Sequence, residues 1–166
     1  MFKEITKNNL NEITNLFIEV FNGEPWYDKW TYETAIKRLR DIIDMPGFIG
    51  NAYYEDNTLV GCIMGREEMF YDGKHFEILE FYVNAKCQGK GYGRKILNDF
   101  TYKLFNKDIK KIFLITCHGI RTEGFYEKNG FKTSEELIIM SKKHLIKGWR
   151  IIWRVLIGKF CLNNLF

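Results

Sequence analysis

Gln88-Gly89-Lys90-Gly91-Tyr92-Gly93-Arg94 sets three glycines at alternate positions after an amide, with one cation among them and a second directly after. Glycine strips the side chain from a turn and opens left-handed backbone conformations, so successive N–H groups can be aimed at one anion. At the start of a helix the peptide dipoles add to the attraction, and Lys90 and Arg94 can supply charge to phosphate oxygens. The chemistry suggested is pyrophosphate binding. Spacing removes two common owners of such a loop. A P-loop needs Gly-x-x-x-x-Gly-Lys-Ser/Thr, and no Lys-Ser/Thr follows these glycines. The dinucleotide pattern Gly-x-Gly-x-x-Gly is one residue longer than Gly89-x-Gly91-x-Gly93. It also follows the first strand of its domain, whereas about half of this chain precedes the turn.

A second segment, Phe125-Tyr126-Glu127-Lys128-Asn129-Gly130-Phe131, reads as a short helix closed by glycine and a strand entered through Phe131. Together the two motifs resemble the GNAT family of N-acetyltransferases. The acetyl-CoA loop of that family has the pattern Gln/Arg-x-x-Gly-x-Gly/Ala, matched here by Gln88, Gly91 and Gly93. Tyr126 matches the family's tyrosine beside the departing CoA sulfur. The resemblance covers residues 1 to about 143 and implies an acetyl-CoA-dependent transferase that uses no metal.

What the resemblance implies can be placed residue by residue. Backbone groups of Phe81 and Val83 would bond the pantetheine arm, and an N–H of Phe81 or Tyr82 would polarise the thioester carbonyl. The loop Gln88, Gly89, Lys90, Gly91, Tyr92, Gly93 and Arg94 would hold the pyrophosphate. Tyr126 is the candidate general acid, because a phenol with pKa about 10 stays protonated at neutral pH and can protonate a thiolate whose acid has pKa about 8.5. Glu80 is the candidate general base. In a strand otherwise reading Phe76, Ile78, Leu79, Phe81, Tyr82 and Val83, a carboxylate costs desolvation unless it is paired or faces a cleft. Glu77 would face the other way in a regular strand, and a bulge would alter that. His118 is a second relay candidate. The chain departs from the family at Gly119, where many members carry an Asn, and Thr122 is expected to cap the short helix.

The acceptor is written less plainly. Glu24, Trp26, Tyr27 and Asp28, with Trp30 beyond them, join aromatic faces to carboxylates between two predicted helices. That combination suits a cationic amine, and Glu67, Glu68, Asp72 and Glu77 add further acidity. The bland reading of the same residues is a Trp-anchored loop with solvated carboxylates. The expected substrate is a primary amine of a small molecule or peptide, attacking directly in a ternary complex. A catalytically idle acyl-CoA-binding or regulatory module is the alternative.

These residues need a scaffold, and the apolar pattern supplies one. Phe2–Thr6 reads as a strand, and Asn8 or Asn9 as the cap of a helix through Ile13, Leu16, Phe17 and Val20. Thr31 caps a second helix that Met45-Pro46-Gly47 ends. Three hairpin-linked strands follow, Phe48–Glu55, Leu59–Met69 and Lys74–Asn84. After the glycine loop and its helix come a buried strand, Lys111–Cys117, then the short helix, and strand material at Phe131–Thr133 and Leu137–Met140. The predicted class is α+β, a GNAT-like, mostly antiparallel mixed sheet with helices on both faces.

At 166 residues, with 46% hydrophobic content, the chain can bury a full core. No apolar run of membrane-spanning length lacks charge, and Met1–Ile5 has no signal-peptide character, so a cytoplasmic protein is expected. Cys62, Cys87, Cys117 and Cys161 lie in no metal-binding spacing and read as reduced thiols. Residues 144–166 carry Lys147, Arg150, Arg154 and Lys159 without an acid, so they account for the whole net charge of +4. The domain over 1–143 is then near neutral, which argues against nucleic-acid binding. The extension at 144–166 reads as a basic amphipathic helix. Residues 145–160 would meet either a membrane surface or a protein surface, in this domain or in a second copy.

Overall fold

A computed structural model describes residues 1–142 of the chain. The extension at 144–166, with its expected helix and partner contact, lies outside the described residues. The chain divides into two compact units, Met1–Ile115 and a second beginning at Thr116.

The first unit is a five-stranded sheet in the order β1-β2-β3-β4-β5, comprising β1 (Phe2–Glu4), β2 (Phe48–Glu55), β3 (Thr58–Phe70), β4 (Gly73–Val83) and β5 (Ile109–Leu114). The first four strands pair antiparallel and β5 joins β4 in parallel. Helices α1 (Leu10–Asn22) and α2 (Tyr32–Ile43) cover one face, burying Ile13, Phe17, Leu39 and Ile42 against Cys62, Met64 and Tyr82. Helix α3 (Tyr92–Phe105) covers the other through Ile96, Leu97 and Phe100, with the Phe100 ring edge-on to Phe76 at 5.5 Å. Each such side chain contributes roughly 1.5–3 kcal/mol when fully buried. The second unit contains α4 (Glu123–Glu127).

Thr31 caps α2 as expected, in a reciprocal box with Thr34. The first helix begins differently. Thr6 caps a 3-10 turn at Lys7–Asn9, accepting from the Asn8 N–H while the Asn9 side chain accepts from the Thr6 N–H. Asn9 is thus committed to the turn before α1 and makes no side-chain cap of the helix itself. Strand β5 starts and ends earlier than the sequence suggested, and Ile112–Leu114 are half-buried rather than buried. The strand material expected at Phe131–Thr133 and Leu137–Met140 is absent among the described residues. Leu137, Ile138 and Met140 are exposed there. An apolar run becomes a strand only where a neighbouring edge accepts its hydrogen bonds, and local pattern cannot supply that edge.

One irregularity decides which way the candidate base points. The register of β3 against β4 slips between Met64 and Gly65, so Met64 opposes Glu80 while Gly65 opposes Ile78, and Leu79 is the extra residue. Phe76, before this bulge, faces α3, whereas Glu80 and Tyr82, after it, face α1 and α2. Glu77 and Glu80 therefore share a face despite their odd spacing. Gly65 makes the bulge possible, because a Cβ there would lie 1.8 Å from the Glu77 carbonyl oxygen.

Candidate functional site

The glycine loop leaves β4 through a 3-10 turn at Ala85–Cys87 and enters α3 at Tyr92. Gly89 (φ 75°) and Gly91 (φ 84°) both occupy the left-handed region, and a Cβ built on either meets nothing within 4 Å. Crowding does not select glycine at these two positions; the turn does, and it leaves open space in front of the backbone. Gly93, inside α3, has no such requirement. The Gln88 side chain donates to the Val83 carbonyl at 3.1 Å, tying the loop to the end of the strand. Lys90 and Arg94 are exposed and form no ion pair among the described residues. Lys95 is held aside by the Tyr53 hydroxyl at 2.9 Å, beside the Tyr92 ring. An open turn, two available cations and the head of a fourteen-residue helix fit a pyrophosphate.

Strand β4 outlasts its parallel neighbour. Pairing with β5 ends at Ile78–Leu114, and β4 continues to Val83, as the expected splay of the two strands requires. Phe81 and Val83 are half-buried on this stretch. Tyr82 contributes only backbone to that edge. Its ring packs against Phe17 and Phe21, and its hydroxyl donates to the Ile13 carbonyl at 3.0 Å. Burial raises the Tyr82 phenol well above its ordinary value, so it stays neutral.

Glu80 is 1% exposed, and Arg38 of α2 meets it with two donors on the same carboxylate oxygen. Nε lies 2.6 Å and Nη2 2.5 Å from Oε1. Most of the extra acidity noted in the sequence is also internally paired. Arg66 holds both Glu68 and Glu77, Lys74 lies 3.3 Å from Glu67, and His75 lies 2.9 Å from Asp72.

The Gly23–Trp30 segment is anchored from within. Asn22 grips Trp30 twice, donating to its carbonyl at 2.9 Å and accepting from its N–H at 2.8 Å. The Trp30 ring packs edge-on to Phe17, and its indole N–H donates to Asp28 at 3.1 Å. Trp26 leans on Phe21, and the backbone turns on the Gly23 carbonyl. Of the four candidate acceptor residues, Trp26 and Asp28 are half-buried, while Glu24 and Tyr27 are exposed.

In the second unit Tyr126 is half-buried, its ring edge-on to Phe125 and Phe131 at 5.3 and 5.5 Å. Its carbonyl accepts from the N–H groups of Asn129 and Phe131, so the glycine-closed turn is built around it. Thr122 does not cap α4 with its side chain. Its hydroxyl turns back to the Cys117 carbonyl at 2.7 Å. Gly119 has φ 134°, a conformation that would strain the Asn common at this place in the family. His118 is almost fully exposed and bonds Glu123 at 3.0 Å, while Thr133 donates to the other Glu123 oxygen at 2.8 Å. Two residues escaped the sequence reading, Arg38 and Asn22. Nothing local marks Arg38, whereas Asn22 stands where a helix end meets a loop and could have been weighed as a clamp.

Comparison with known proteins adds a family and a fold. The profile of the Acetyltransferase (GNAT) family matches residues 10–131. No curated protein matches the sequence at a significant level. Among solved structures, a GNAT family acetyltransferase of Staphylococcus aureus superposes with TM-score 0.65 at 18% identity, covering 87% of this chain and 98% of that one. An aminoglycoside acetyltransferase from an uncultured soil metagenomic sample, in complex with sisomicin, has TM-score 0.64 at 16% identity, over 88% and 96%. A Clostridium acetobutylicum protein described as a predicted acetyltransferase with acetyl-CoA has TM-score 0.65 at 14% identity, over 85% and 95%. At these identities the structures speak for the fold.

Proposed function

The chain belongs to the GNAT family of acetyltransferases, and from that premise we propose that it moves an acetyl group from acetyl-CoA to a primary amine. The acceptor is a small molecule or peptide, and the amine attacks the thioester directly in a ternary complex. The observation that carries the reading is the Gln88–Arg94 turn, with Gly89 and Gly91 left-handed and open space before them at the head of α3. Acetyl-CoA supplies the activated acetyl group. Backbone N–H groups of the turn, with Lys90 and Arg94, hold the pyrophosphate, and the β4 edge at Phe81–Val83 orients the acyl arm.

Transfer then needs the amine deprotonated, the developing oxyanion stabilised and the thiolate protonated. Glu80 takes the amine proton, directly or through water, and Tyr126 of the second unit donates one to the thiolate. Glu24, Trp26, Tyr27 and Asp28 supply acceptor contacts, with Tyr27 and Glu24 the most accessible of them. The solved relative in complex with sisomicin makes aminoglycosides the first amines to try.

The experiment is free-thiol release from acetyl-CoA over a panel of aminoglycosides, polyamines and peptides. Turnover on at least one amine, lost in Tyr126→Phe with CoA affinity kept, is the expected result. Tight CoA binding without thiol release on any acceptor would favour an idle binding module.

A further inference from the structure

We propose that Arg38 is a positioning residue for this transfer, fixing the Glu80 carboxylate and coupling it to the Gly23–Trp30 loop. The inference rests on the reading of Glu80 as the group that takes the amine proton, and deepens it.

Three observations converge on Arg38. First, it places both donors on Glu80 Oε1, at 2.6 and 2.5 Å, instead of forking across the two oxygens. Two donors converging on one oxygen hold that oxygen in place more closely than a single point charge could. Second, the pair spans a boundary, with Glu80 1% exposed and Arg38 37% exposed. A purely internal ion pair would keep both partners inside, where desolvation is largest. Third, the Arg38 guanidinium carbon lies 6.0 Å from the centroid of Trp30, the residue that Asn22 and Asp28 hold. Helix α2, which carries Arg38, starts at the Thr31 cap immediately after Trp30. A shift of the loop is therefore transmitted to the candidate base through one side chain.

Several titratable groups share the face that Glu80 occupies. On the same face lie Glu77 and Tyr82 of β4, Cys62 and Arg66 of β3, and Asp28 in the loop. Arg66 is engaged by Glu68 and Glu77. Burial keeps Cys62, pushed up to about 12, and Tyr82 neutral.

The test compares Arg38→Met, Arg38→Lys and Glu80→Gln with the wild type, measuring kcat, both KM values, the pH profile of kcat/KM and Tm. A buried carboxylate that loses its cation takes a proton more readily. Arg38→Met should therefore lose at least tenfold in kcat/KM for the amine and move its acid limb to higher pH, with the KM for acetyl-CoA within twofold. Arg38→Lys should keep the acid limb in place and lose severalfold in kcat, since one ammonium cannot reproduce the two-donor grip. An unmoved acid limb in Arg38→Met, or wild-type kcat in Arg38→Lys, overturns the positioning role. Arg38→Lys carries the test if Arg38→Met does not fold. Glu80→Gln separates the two ideas: wild-type turnover there removes the base reading and this proposal with it. An inactive Glu80→Gln beside an unmoved Arg38→Met profile removes the positioning role alone.

Discussion

The loop at the head of α3 and the loop between α1 and α2 are built in opposite ways. In Gln88–Arg94 the conformation is set by glycine backbone, the turn at Gly89 and Gly91 is open, and a side-chain bond from Gln88 to Val83 ties it to the strand. In Gly23–Trp30 the side chains hold one another: Asn22 clamps Trp30, Trp30 binds Asp28, and Trp26 lies on Phe21. Backbone that faces an anion reads the same in any sequence that keeps the glycines. Side chains committed to their own loop say little about what else they touch. The difference explains why the first loop points to a ligand class and the second only to a charge preference.

The contrast predicts different failures. Asn22→Ala removes both partners of the Trp30 backbone and should cost about 2 kcal/mol of stability, since half-buried polar groups are left unmatched. Thermal or urea unfolding would read this, together with a raised KM for the amine and an unchanged KM for acetyl-CoA. Equal stability would mean that packing on Phe17, and not the clamp, holds the loop. Gly91→Val should do the reverse. A β-branched residue at φ 84° costs roughly 1–2 kcal/mol, which the open turn can escape by leaving its conformation. Affinity for CoA should fall about tenfold by calorimetry while Tm stays within a few degrees. A drop in Tm as large as that of Asn22→Ala would erase the proposed distinction.

The same division governs what could be read from the sequence. The left-handed turns at Gly89 and Gly91, the Thr31 cap and the alternating strands are local, and each was legible from its own neighbourhood. Glu80 was legible as an anomaly, a carboxylate in an apolar strand. Its partner was not, because Arg38 is 42 positions away and the pair exists only once α2 packs on the sheet. The face that Glu80 occupies hangs on Gly65, whose missing Cβ admits the Leu79 bulge. Leu137–Met140 failed for the converse reason, since a strand-like pattern needs an edge that no local residue specifies.

Smaller effects separate the regions further. Gln88→Ala deletes the side-chain hydrogen bond that ties the glycine loop to the end of β4, an exposed bond that contributes about 1 kcal/mol. Affinity for CoA should weaken by roughly fivefold, less than for Gly91→Val, because the backbone still prescribes the turn. A loss exceeding that of Gly91→Val would transfer the main role from backbone conformation to the amide.

The least effect is expected beside Tyr126, where Glu123 reports on how the α4 segment is held. Its carboxyl lies below the ordinary value of 4.5, chiefly through the Thr133 hydroxyl and then through His118. A carboxylate so depressed contributes stability that is present above 4.5 and fades as pH falls through its lowered value. Thr133→Val removes the larger cause, so the Glu123 midpoint should rise toward 4.5 in a carbon-13 carboxyl titration. Adding His118→Ala should raise it further, leaving the smaller lowering that comes from the Gly119 backbone. Acid unfolding of the variant should accordingly begin at slightly higher pH, with neutral-pH CoA affinity unchanged. An unshifted midpoint would mean that Thr133 does not hold Glu123 in solution, leaving the glycine-closed turn around Tyr126 to its own bonds, from the Asn129 and Phe131 N–H groups to Tyr126 and from the Asn129 side chain to Phe125.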